Sequence, residues 1–178
     1  HLTSMSSSYL SHLECSGCGK QYSHNEVHTF CPICQSPFLS IYALDQARLK
    51  VDRDEITRRN KGMWRWRELL PVIDQKNEIF LGEGDTPLLS LPRLEKVLGL
   101  SNLYVKDESS NPTGSFKARG LAAAVSKAKE LGVEKVIIPT AGNAGGAMAA
   151  YAARAGIKAY IFMPKDTPMA NIEESRMA

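Results

Sequence analysis

Asn111-Pro112-Thr113-Gly114-Ser115-Phe116-Lys117-Ala118-Arg119-Gly120 is the stretch on which the reading of this chain turns. Asn-Pro followed by Gly114 stops an extended run over residues 103–106, and an alanine-rich segment begins at once. The pattern predicts a loop running into a helix, with Ser115 or Thr113 as the N-cap. Lys117 then lies in the first helical turn, where the helix dipole disfavours a cation. The same field favours the neutral amine, which can attack a carbonyl. The competing reading is an ordinary solvated lysine, and the rest of the chain has to decide between them.

Downstream, residues 116–131 read as the helix, closed by Gly132, and Lys135-Val136-Ile137-Ile138 as a short apolar strand. Residues 143–155 form a small-residue helix ending at Gly156, and residues 158–163 form another strand. Thr167 and Pro168 open a last helix as N-cap and first position. Strand and helix alternating at this spacing predict right-handed crossovers, hence an α/β fold with a parallel sheet and flanking helices. Thr140-Ala141-Gly142-Asn143-Ala144-Gly145-Gly146-Ala147 falls where a strand ends and a helix begins. Such an end exposes unpaired backbone N–H groups and so can hold an anion. A plain glycine-rich helix start is the alternative.

Upstream of the lysine stretch, residues 91–98 read as a helix with Pro92 in its first turn and Gly99 past its end. Gly82-Glu83-Gly84-Asp85-Thr86-Pro87-Leu88 is a turn whose glycines shape the backbone, and residues 79–81 are expected to be a short strand. Residues 45–60 are charged with irregular apolar spacing, a linker or short helix. Met63-Trp64-Arg65-Trp66-Arg67-Glu68-Leu69-Leu70-Pro71 is expected to pack Trp64 and Trp66 against the body.

Nearer the N-terminus, Cys15-Ser16-Gly17-Cys18 and Cys31-Pro32-Ile33-Cys34 make two Cys-x-x-Cys knuckles. Two knuckles aim four thiolates at one point, a zinc ribbon with Cys15, Cys18, Cys31 and Cys34 as ligands. Four protein ligands leave no open position, so the metal is expected to be structural and to supply folding energy. Two disulfides or a rubredoxin-like iron site are the alternatives. His12, His24 and His28 read as surface residues. The ribbon lacks a basic run interleaved with aromatics, which argues against a nucleic-acid partner. A net charge of +3 over 178 residues points the same way, and no apolar run reaches membrane-span length. Without a signal-peptide core at its N-terminus, the protein is expected in the cytoplasm. His1-Leu2-Thr3-Ser4 ahead of Met5 reads as an expression scar.

The tryptophan segment, the Gly-Glu-Gly turn, the lysine stretch and the Thr140–Ala147 loop, in that order along the chain, together resemble the fold-type-II pyridoxal-phosphate enzymes in their threonine synthase form. The resemblance runs from Cys15 to the last residue. It implies that Lys117 holds pyridoxal phosphate as a Schiff base and shuttles protons. It further implies that Asn143 bonds the cofactor ring, and that Thr140, Ala141, Asn143 and Ala144 bind the substrate carboxylate, with Thr86 a further substrate contact. The implied substrate is a small amino-acid phosphate: O-phospho-L-homoserine and water would give L-threonine and phosphate. Ala141 and Ala144 stand where the family often has hydroxyl residues, and Ala118 where an aspartate often follows the lysine. Backbone N–H groups can bind a carboxylate without those hydroxyls.

The division implied is residues 1–4 as scar, 5–45 as ribbon, 46–110 as linker and the front of a large catalytic domain, and 111–178 as a small α/β domain. Family members are roughly twice as long, so the chain is expected to be the front portion of an enzyme, partnered by a C-terminal half that carries the phosphate loop. Alone it is expected to bind cofactor weakly and to turn nothing over; a homodimer is compatible with the resemblance. A cysteate synthase or threonine dehydratase on the same scaffold, and a zinc-ribbon interaction module, are the other readings. The tryptophan segment and the Gly-Glu-Gly-x-Thr-Pro-Leu turn favour threonine synthase.

Overall fold

The structure, a computed structural model, describes residues 8–178; the expected scar and the first residues of the expected ribbon lie outside them. Three antiparallel strands come first: β1 (Leu10–Cys15) in the centre, flanked by β2 (Gln21–Tyr22) and β3 (Phe38–Tyr42). β1 ends on Cys15, and the turn after it is tight because Gly17 has no side chain. A Cβ there would stand 2.4 Å from the Ser36 hydroxyl and 3.3 Å from Cys34 Sγ. Two short helices follow, α1 (Leu44–Lys50) and α2 (Arg53–Arg58), where a linker or one helix was expected. Arg59, just past α2, grips both oxygens of Glu68 at 2.8 and 2.6 Å and so fastens this region to the tryptophan segment.

That segment is a kinked 3-10 helix, Met63–Leu69. Trp64 is buried and donates its indole N–H to the Ile79 carbonyl at 3.0 Å. Trp66 departs from expectation: it is 52% exposed and lines a groove with Leu44, Ala47, Val51 and Ile56. The kink at Trp66 itself turns the two indoles apart. The strand expected over residues 79–81 is absent, because its backbone bonds go to side chains. Ile79 N–H donates to Ser126 Oγ at 2.8 Å and Leu81 N–H to Glu83 Oε2 at 3.0 Å. With those groups taken, no ladder can form there.

β4 (Leu88–Ser90) and β5 (Tyr104–Lys106) pair antiparallel around α3 (Pro92–Leu98), which Gly99 closes. Then come α4 (Lys117–Glu130), β6 (Lys135–Pro139), α5 (Asn143–Ala155), β7 (Lys158–Phe162) and α6 (Met169–Met177). β6 and β7 run parallel in register, Lys135 opposite Lys158, joined by α5 as the crossover. This is the expected α/β unit, an adjacent parallel strand pair with flanking helices. The last helix starts one residue later than expected: Pro168 occupies the cap, and the buried Thr167 hydroxyl caps nothing.

α4 buries Ala118, Ala122, Val125 and Ser126, one face at helical spacing, and packs on α5 in a cluster with Met148, Tyr151 and Ala152. Small residues on both helices let them approach closely. The core so formed also takes in Met63, Trp64, Val72 and Ile79. It therefore draws on residues from both sides of position 110. Among the described residues no helix is long and apolar enough to cross a membrane.

The turn at residues 82–86 is the most constrained piece of backbone. Gly84 has φ +104°, and a Cβ would come within 2.6 Å of the Met63 nitrogen and 2.9 Å of the Gly62 carbonyl carbon. Gly84→Ala should therefore cost about 3 kcal/mol, strain and overpacking together. Gly120→Ala, in the open on α4 with nothing within 4 Å, should be neutral or stabilising by up to about 1 kcal/mol. Chemical denaturation of both variants measures the difference.

Candidate active site and cysteine cluster

The lysine loop begins at Asn111, buried and extended, continues through one 3-10 turn (Pro112–Gly114) packed on α5, and enters α4. Ser115 is extended and Phe116 already helical. Ser115 Oγ accepts the Lys117 backbone N–H at 3.3 Å, so of the two expected caps Ser115 is the one used. Thr113 sits in the left-handed region, φ 59°, with its hydroxyl buried and unpartnered among the described residues. Lys117 is half-buried. Its Nζ rests over the Phe116 ring, 4.0 Å from the centroid, and no carboxylate pairs with it among the described residues.

The second loop runs from Thr140 into α5. Thr140 N–H bonds the Phe162 carbonyl at 2.9 Å, which fixes the loop to the end of β7. Thr140 Oγ1 accepts the Gly142 N–H at 3.2 Å, and Asn171 of α6 holds the Ala141 carbonyl at 2.8 Å. No side chain caps α5. Asn143 is exposed and Ala144 half-buried at its first turn, so N–H groups at a 13-residue helix start are left for an anion. Asn143, Ala144, Thr140 and Ala141 are thus gathered on one loop. The lysine loop packs against the helix that this loop opens.

Thr86 is placed differently. It is buried, and its hydroxyl is spent on Glu108 Oε1 at 2.6 Å. Arg119 also reaches Glu108, Nε to Oε2 at 2.6 Å and Nη2 to Oε1 at 2.8 Å. Asn111 Nδ2 adds a bond to Glu108 Oε2 at 2.8 Å. The Arg119 guanidinium, with the Thr86 hydroxyl, holds the Glu108 carboxyl down at about 2. Lys106 Nζ bonds the Thr86 carbonyl. None of Glu108, Arg119 and Asn111 stands out as functional in the sequence. Arg119 lies inside the decisive stretch, but its partner is eleven residues earlier across two turns, a pairing no periodicity announces.

The four cysteines converge as expected: their Sγ atoms all lie within 4.8 Å of one another. Cys15 and Cys34 are 3.3 Å apart and Cys18 and Cys31 3.7 Å, with no disulfide. A zinc tetrahedron with 2.3 Å bonds has edges of about 3.8 Å, so this donor set fits the ion. N–H groups of Gly17 and Cys18 point at Cys15 Sγ, both at 3.4 Å. The Tyr22 hydroxyl beside Cys31 lowers that thiol to about 6. The histidines are not simple surface residues. His28 packs edge-on to Tyr22 beside Phe38. His24 lines a cavity of about 460 Å³ between the ribbon and α4, where burial, and then Lys127, lower its pKa.

The structure thus sets a lysine at the start of α4, its loop packed on α5, and a second helix start without a side-chain cap on one α/β scaffold. Residues 79–178, more than half of the chain, match the family described as pyridoxal-phosphate dependent enzyme. The chain belongs to that family, with the fold-type-II α/β architecture. It is 42% identical over 151 residues to a threonine synthase of Methanocaldococcus jannaschii, covering 85% of this chain and 37% of the relative. It is 39% identical over 153 residues to one from Methanosarcina acetivorans, covering 86% and 37%. A solved threonine deaminase isoform 2 from Solanum lycopersicum is 32% identical, with a TM-score of 0.47 over 52% of this chain and 25% of that one. The chain thus spans about 37% of the length of those two curated relatives.

The Glu108 clamp has a pH signature. Its folded pKa is depressed, from 4.5 to about 2, so the stability it contributes is full above about pH 4.5 and is lost as pH falls towards 2. Stability measured by urea denaturation should fall across that window, and Glu108→Gln should flatten the slope there.

Proposed function

We propose that this chain carries the cofactor lysine and the zinc ribbon of a threonine synthase, the activity residing in a polypeptide of its relatives' length. The names and identities of the relatives support this reading, and one observation carries it: an amine without an ionic partner among the described residues at the start of α4, in a loop that packs on α5, whose own start no side chain caps. Pyridoxal phosphate, when bound, supplies the electron sink for carbanion chemistry. Lys117 would hold it through Nζ. The substrate would be O-phospho-L-homoserine, converted with water to L-threonine and phosphate.

The chain's own groups each have a part in that reaction. Lys117 Nζ, once free, takes and returns protons at the substrate's Cα and Cβ. The N–H groups of Ala141, Asn143 and Ala144, with the Thr140 hydroxyl, bind the α-carboxylate. The Asn143 amide orients the cofactor ring. Thr86, through the Glu108–Arg119 clamp, fixes the backbone on either side of the lysine loop rather than facing substrate. Leu88, Leu89, Val97, Tyr104 and Val105, together with Ile137, Tyr160 and Phe162, are exposed apolar residues, surface of the kind that further polypeptide covers.

The cysteine cluster would hold one zinc ion through Cys15, Cys18, Cys31 and Cys34. Its role is to close a ribbon that buries few apolar residues of its own. A cytoplasmic setting keeps the four thiols reduced for the metal.

Incubation with pyridoxal phosphate, reduction with borohydride and peptide mapping should label Lys117, and Lys117→Ala should lose that label at least about tenfold. Label on other lysines with Lys117 unmodified would defeat the proposal. At the relatives' full length, phosphate release from O-phospho-L-homoserine should vanish in the same variant. For the ribbon, elemental analysis should find one zinc per chain. A strong chelator or Cys31→Ser should remove it and lower the melting temperature of the ribbon while leaving Lys117 labelling in place.

A further inference from the structure

Glu83 is the most deeply buried carboxylate of the described residues, with no exposed surface, and it lies 68 residues from the group it holds. Its Oε2 accepts the Tyr151 hydroxyl at 2.6 Å and the Leu81 N–H at 3.0 Å; its Oε1 has no partner. Tyr151 is likewise without exposure, two turns along α5 from Asn143. The next residue, Gly84, donates its N–H to Asn111 Oδ1 at 3.1 Å, and Asn111 is the first residue of the lysine loop. One route therefore runs from α5 through Tyr151, Glu83, Gly84 and Asn111 to the loop that carries Lys117. It consists of two hydrogen bonds joined by a single peptide link, with Tyr151, Glu83 and Asn111 buried and Gly84 partly so.

Two features make this more than general packing. The bonds lie in series, so breaking either one cuts this polar tie and leaves only the packing of the loop on α5 to set their register. They also join the two elements whose relative position matters to the chemistry: α5 opens on the anion-binding loop, and Asn111 opens the loop of the lysine. A buried carboxylate left half-satisfied is costly, and a lysine that must meet a carbonyl tolerates little displacement.

We propose that Tyr151 and Glu83 are positioning residues that set the lysine loop against the α5 terminus. This rests on the cofactor role assigned to Lys117 above. Tyr151→Phe removes the donor and keeps the ring. Because it strips a bond to a buried carboxylate, it should open the lysine loop about tenfold to a hundredfold more often.

Hydrogen exchange by mass spectrometry on this chain should show faster exchange over residues 111–119 in Tyr151→Phe, with the cysteine ribbon unchanged. The initial rate of borohydride-trapped labelling at Lys117 should fall by about tenfold, a readout that a loss of stability elsewhere would not confine to that lysine. Glu83→Gln, whose amide oxygen still accepts from Tyr151, should keep both near the parent values; this variant also serves if Tyr151→Phe does not fold, since loss of labelling in it would count against the tie. A series link is cut only once, so Tyr151→Phe combined with Asn111→Ala should be no worse than the more damaging single change, within about twofold. Unchanged exchange at residues 111–119, or multiplying effects in the double variant, would overturn the proposal. If Lys117 is not the labelled residue at the relatives' full length, the cofactor role itself fails; if it is labelled equally in parent and variant, only the tie does.

Discussion

A carboxylate with no access to water must be held by its own protein, and Glu83 is held from two directions at once. The turn around it serves as the fixed point of the structure. Its Glu83 carbonyl takes the Met63 N–H at 2.9 Å, Asp85 accepts the Gly62 N–H, and Gly84 faces Asn111. Through those bonds the tryptophan segment, α5 and the lysine loop are all referred to one short piece of backbone. The left-handed glycines on either side of Glu83 are what let that backbone turn so closely.

The residues proposed for the chemistry sit at two helix starts rather than in a cluster of facing side chains. α4 places a lysine in its first turn, while α5 begins with N–H groups that no side chain caps. Neither feature is unusual by itself. The packing of α4 and of the lysine loop on α5 is what ties the two helices into one unit. Glu108 and Arg119 then restrain the loop between them, at the cost of removing Thr86 from any open surface.

Sequence patterns were most informative where the physics is local. Residues 143–155 and the glycine that ends them were legible because small-residue periodicity and a helix stop coincide. The parallel strand pair followed from the same spacing, and the two Cys-x-x-Cys knuckles met as their geometry requires. Residues 79–81 misled, since an apolar triplet has strand propensity while its backbone partners, Ser126 and Glu83, are chosen by the fold. Trp66 misled for a related reason: a single kink in Met63–Leu69 sends it towards α1 and α2. Between Ser115 and Thr113 composition could not choose. The backbone chose, because Thr113 is in the left-handed region and Ser115 is extended.

What the amino-acid order determined by itself was the α/β alternation, the position of Lys117 at a helix start and the four-cysteine donor set. All three depend on neighbours within a few residues, or on fixed ligand chemistry. Only the tertiary structure decided which polar groups are spent on one another: Thr86 and Arg119 on Glu108, Tyr151 on Glu83, Ser126 on Ile79. Those pairings link residues from 11 to 68 positions apart, and a buried polar group takes whichever partner the packed chain brings to it.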